Sequence, residues 1–110
     1  MTSVREIHSM FVHHREAAEG TYRGKILTVE AYALRAGESM FSTPVVEASD
    51  APDGEPLAIF VLPFGDGIRV SFARLETVEP GQLVQVSGEC RMFSDDGDVL
   101  VFKDCRLLAP

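Results

Sequence analysis

A mainly β domain, a five-stranded antiparallel barrel behind one N-terminal α-helix, is the fold this sequence predicts, and three observations predict it. Apolar residues recur near every 3.6 positions only in the first twenty residues. From Lys25 onward the period falls to two and β-branched residues rise. Gly, Pro and Asp clusters then break the chain into short segments, while the 110 residues suffice for one hydrophobic core.

The helix comes first. Ser3 and Glu6 stand at capping-box spacing, and Val4, Ile7, Phe11 and Ala18 line one face, which predicts an amphipathic helix over about residues 4–19. Gly20 stands where a left-handed residue commonly closes a helix, so the barrel, about residues 22–108, should start near Tyr22. Strand patterns follow at 25–35, 57–62, 68–73, 83–93 and 99–108. Residues 43–48 read as a further short strand, but Pro44, Pro52, Pro56, Gly54 and the surrounding acids predict an exposed acidic loop over about 37–56.

Two hairpins can be drawn with register. Joining 57–62 to 68–73 through Pro63-Phe64-Gly65-Asp66-Gly67 sets Phe60 opposite Val70 and Val61 opposite Arg69. The core face then carries Ala58, Phe60, Leu62, Ile68, Val70 and Phe72, and the outer face Ile59, Val61, Arg69 and Ser71. In the second hairpin, which turns within residues 95–98, Val84, Val86, Gly88 and Cys90 share a face. A turn centred between Gly97 and Asp98 opposes Cys90 and Cys105 directly; one centred between Asp96 and Gly97 makes them diagonal neighbours on the same face.

Charge narrows the partners. The chain carries 10 basic residues against 17 acids, a formal net charge of -7 that works against long-range attraction to phosphate or anionic lipid. Between residues 26 and 66 only Arg35 offsets Glu30, Glu38, Glu47, Asp50, Asp53, Glu55 and Asp66. The longest apolar run, from Leu57 to Phe64, falls far short of the roughly 18 residues of a membrane span. Charges at Arg5 and Glu6 interrupt the place where a secretory signal has its apolar stretch, which makes cytoplasm the expected location.

Particular residues carry a family resemblance. After the helix come Tyr22-Arg23-Gly24-Lys25 and Val29, then Gly81-Gln82-Leu83-Val84-Gln85-Val86-Ser87-Gly88-Glu89-Cys90, then Phe102-Lys103-Asp104-Cys105. This pattern, over about half the chain, resembles the tRNA_anti-like group of bacterial OB-fold domains. The resemblance implies an OB-type barrel and a family name with a nucleic-acid association, and no particular activity. Where the family usually has a glycine after the first-strand valine this chain has Glu30-Ala31, and its acidic segment is longer than usual.

The chemistry-bearing residues form no catalytic set. His8, His13 and His14 miss the i, i+4 spacing of a helical metal site, and no nucleophile, base and acid stand at a recognisable spacing. Gly65-Asp66-Gly67 reads as a hairpin turn, since a dinucleotide fingerprint needs a third glycine and a following helix. Asp95, Asp96 and Asp98 are too compressed for a calcium loop, whose ligands spread over about twelve residues. Cys90 and Cys105 suit either a disulfide, worth about 3 kcal/mol in the chain-entropy model, or two buried thiols in a reducing compartment; two cysteines alone do not close a zinc site. The expectation is a protein without cofactor or metal that is not an enzyme.

OB barrels commonly bind with the outer face of their middle strands and the adjoining loops. Here that face is predicted to carry Tyr32, Ile59, Val61, Arg69 and Ser71, with Phe64 at a loop tip. One stacking aromatic and one arginine beside an acidic loop make a poor groove for single-stranded nucleic acid. A protein or peptide partner, or self-association, is the expected ligand class, with single-stranded DNA or RNA as the alternative.

Overall fold

Helix formation begins at Ser3, whose Oγ accepts a hydrogen bond of 3.2 Å from the Glu6 N–H and so satisfies one of the donors left open in a first turn. The computed structural model describes residues 2–38, 43–63, 75–94 and 98–108. Helix α1 spans Val4–His13 and buries Val4, Ile7 and Phe11, the stripe its periodicity marks. The expected single helix over 4–19 is instead two. At His14 the backbone leaves helical geometry (φ -141°, ψ 59°), and the chain continues as α2, Arg15–Tyr22, which runs through Gly20. Glu19 receives Arg23 at 2.9 Å and Arg15 at 3.9 Å along this short helix, exposed pairs worth about 0.2–0.5 kcal/mol each that offset only part of the cost of a helical glycine, about 1 kcal/mol relative to alanine. The left-handed residue is Gly24 (φ 79°), whose N–H donates to the Cys90 carbonyl at 2.7 Å and so delivers the chain to the barrel.

The remaining elements are strands: β1 Thr2–Ser3, β2 Ile26–Glu38, β3 Pro44–Ser49, β4 Ala58–Val61, β5 Leu83–Ser94 and β6 Val99–Leu107. Five of them close a ring, β2-β3-β4-β6-β5 and back to β2, an OB-like barrel behind N-terminal helices. Every seam is antiparallel except β4 with β6, which run parallel. The long β2 serves both halves, pairing with β5 from Ile26 to Tyr32 and with β3 from Tyr32 to Glu38, while β1 fills the edge at Val29 and Glu30.

The acidic segment supplies a barrel strand. β3 lies inside the expected loop of 37–56, with Val45, Val46, Ala48 and Ser49 buried. Pro44 is compatible because a proline that opens a strand has no earlier ladder bond to donate. Residues 68–73, expected to pair with β4, lie outside the described residues, as does the turn 64–67; β4 pairs instead with β3 and β6.

The second hairpin follows the register centred between Asp96 and Gly97. Ser94 faces Val99 near the tip and Val86 faces Leu107 at the base, with a bulge in each strand between them. Arg91 is the extra residue on β5; on β6 two residues, Asp104 (φ 51°) and Cys105, oppose Gly88. Cys90 therefore faces Phe102, and both cysteines are buried, free thiols on one inner face.

One core joins helices and barrel. Phe11 stacks on Phe93 (centroids 5.6 Å apart, planes at 11°), and Phe60 meets Phe102 at 5.1 Å in the interior. The α1 stripe belongs to the same buried cluster as Val29, Val46, Phe60, Val86 and Leu100.

Candidate interaction surface

Alternation fixes which side chains leave the barrel. With Ala58 and Phe60 of β4 fully buried, Ile59 and Val61 point outward. The ladders then set Val61 beside Val45, and place Glu47, Ile59 and Val101 in one row across β3, β4 and β6. Met92, which is 49% exposed, extends that row onto β5 opposite Val101. The middle of this surface is an aliphatic band.

Its charge is cancelled at the edge. Arg35 on β2 donates to Glu47 on β3 at 2.7 Å across the ladder. Similar pairing recurs elsewhere: Arg5 with Asp50 at 2.8 Å, Arg15 and Arg23 with Glu19, and Arg91 and Lys103 with Glu89, each at 3.7 Å. Such exposed pairs add little stability, but they leave less positive charge for phosphate.

The residues nominated for the binding face are only partly together. Ile59 and Val61 both point outward from β4, whereas Tyr32 stands on β2 between Ser49 and Leu83, separated from Ile59 by β3. Phe64, Arg69 and Ser71 lie outside the described residues. Val101 and Met92 were missed in sequence because the parallel β4–β6 seam is nonlocal and the Arg91 bulge turns Met92 outward. Alternation on β6 was the available signal for Val101.

The remaining chemistry is mostly structural. His8 donates from Nε2 to the Asp98 carbonyl at 2.6 Å and meets the edge of Phe93, while the Arg15 guanidinium lies 5.7 Å from that ring's centroid. These contacts fasten the β5–β6 hairpin to the helices. Burial pushes the Cys90 thiol up to about 11, with help from Glu19, and the Cys105 thiol to about 12. Thiols so strongly protonated are poor nucleophiles and poor metal ligands. Among the described residues no three His, Cys, Asp or Glu side chains are grouped to hold a metal, and no helix is long and apolar enough to cross a membrane.

The profile of the tRNA_anti-like family matches residues 1–106. Among solved structures, a "putative nucleic acid-binding lipoprotein" of Klebsiella pneumoniae superposes with a TM-score of 0.70 at 17% identity, over 99% of this chain and 92% of that one. An OBody bound to hen egg-white lysozyme gives 0.55 at 17% identity, over 78% and 83% of the two chains, and a second gives 0.54 at 16%, over 79% and 83%. At such identities the likeness is one of fold. No curated protein matches.

Proposed function

The chain belongs to the tRNA_anti-like family, and from that membership we propose that it is a non-catalytic OB-fold module that docks another protein or peptide on the outer face of β3, β4 and β6. The aliphatic band formed by the row Ile59, Val101 and Met92 with Val61 beside it carries the reading. An apolar centre with a polar rim is the anatomy of a protein interface. The OBodies support it to the extent that the same barrel holds a protein in those complexes.

Single-stranded nucleic acid is the second reading, favoured by the fold shared with the nucleic acid-binding lipoprotein of Klebsiella. A positive groove with stacking aromatics would be needed, and the described outer face offers aliphatic side chains with Arg35 already paired. The discriminating experiment is capture from native host extract, with and without nuclease, by the wild type and by Ile59→Asp/Val101→Asp. The expected result is a protein retained after nuclease treatment by the wild type and lost by the folded variant. Capture that disappears with nuclease contradicts the proposal.

A further inference from the structure

The central row of the outer face has opposite charges at its two ends. It runs Glu47, Ile59, Val101 and Met92 across β3, β4, β6 and β5, and the bulge seats Arg91 beside Met92, opposite the same Val101. Between the carboxylate at one end and the guanidinium at the other stand two half-buried β-branched side chains. Turned end for end, such a row is complementary to itself: Ile59 meets Val101, and Glu47 meets Arg91. A two-fold interface requires this, because one patch must fit its own copy.

The neighbouring charges agree with that pairing. Arg35 engages Glu47 through Oε2 on the outer side of the row, and Arg91 and Lys103 share the one carboxylate of Glu89, each at 3.7 Å. A second copy laid over the first therefore makes an unbroken alternating series: Arg35 and Glu47 of one chain, then Arg91, Glu89 and Lys103 of the other. Glu38, Asp98 and Asp104 are exposed in other rows. A two-fold axis parallel to the strands keeps each row over itself, so none of these three meets Glu47 or Arg91.

We propose that the occupant of this face is a second copy of the chain, related by a two-fold axis that runs along the strands between β4 and β6. The proposal rests on the reading of the outer face as a protein-docking surface and names its partner. Ile59 packs on the second copy's Val101, and Glu47 takes the second copy's Arg91, twice over by symmetry. The net charge of -7 on each copy opposes the approach, but salt screens it beyond about 8 Å at physiological ionic strength, so the charges in the row decide the contact. The four residues of β4 span about 13 Å, and four strands at about 4.8 Å spacing cover about 14 Å. A contact this small falls below the roughly 1,200 Å² of a standard interface, and the association is accordingly weak, in the micromolar range.

Sedimentation velocity of the intact chain from about 1 µM to about 500 µM, the range suited to a contact of that size, tests it. The wild type is expected to pass from monomer to dimer, with Ile59→Asp monomeric throughout. Glu47→Arg and Arg91→Glu each weaken dimerisation at least tenfold by setting like charges together. An equimolar mixture of these two variants returns to within threefold of the wild type, because each chain supplies the charge the other lacks at both contacts. Circular dichroism and a denaturant midpoint certify that each variant is folded. A wild type monomeric at every concentration overturns the second copy as occupant. Protein still captured from host extract and lost on Ile59→Asp/Val101→Asp would then keep the docking face with another partner, whereas no capture removes the docking reading as well. A dimer that survives Ile59→Asp, or a mixture no tighter than its two components, overturns the proposed arrangement.

Discussion

At the scale of single residues, the β5–β6 pair shows how tightly one position can be specified. A Cβ added at Gly88 would stand 2.5 Å from Cys105 Sγ and 3.4 Å from the Cys105 Cα, closer than packed atoms tolerate. Gly88→Ala should therefore cost about 1–3 kcal/mol by overpacking. Cys105→Ala in the same chain should return part of that loss, and a denaturant double-mutant cycle measures the coupling. Simple additivity would show that the sulfur is not the obstacle. Both thiols also bind their protons more tightly folded than unfolded, because burial has raised them from an ordinary 9.0 to about 11 and 12. Their contribution to stability is complete below the unfolded value and is lost as pH rises from 9 through the folded values. Urea midpoints should thus fall more steeply above pH 9 in the wild type than in Cys90→Ala/Cys105→Ala; parallel curves would contradict the assignment.

At the scale of elements, the helices form part of the barrel's core. Phe11→Ala should cost about 3–5 kcal/mol, since it removes a buried ring stacked on Phe93, whereas Ser3→Ala should cost about 1 kcal/mol through the lost cap. Chemical denaturation separates the two, and equal small effects would mean that α1 is merely appended. Elements whose signals are local were legible in sequence: the start of α1, its buried face, β2, and the pairing of β5 with β6, although which of two registers that hairpin takes was not. β3 was obscured because Pro44 and the neighbouring acids look like loop chemistry, while its burial comes from β2 and β4, which are remote in sequence. The continuation of α2 through Gly20 was obscured for a related reason. Local glycine statistics say nothing of the contacts Glu19 makes with Arg15 and Arg23.

At the scale of the molecule, net charge was legible but its local cancellation was not. Pairs such as Arg5–Asp50 and Arg35–Glu47 join residues that only the fold brings together. The candidate surface was half legible: alternation on β4 identified Ile59 and Val61, while the closure that adds Val101 and separates Tyr32 depends on seams formed across the whole barrel. The proposed function has this OB barrel docking a protein or peptide rather than phosphate. Nucleic-acid affinity that comes from phosphate neutralisation falls steeply with salt. The most direct measurement is fluorescence anisotropy of the intact chain with labelled single-stranded DNA and RNA at two salt concentrations. Dissociation constants no tighter than about 10⁻⁵ M are expected at physiological salt, near the non-specific range. Submicromolar binding at that salt, lost on replacing Arg69 or Tyr32, would contradict it.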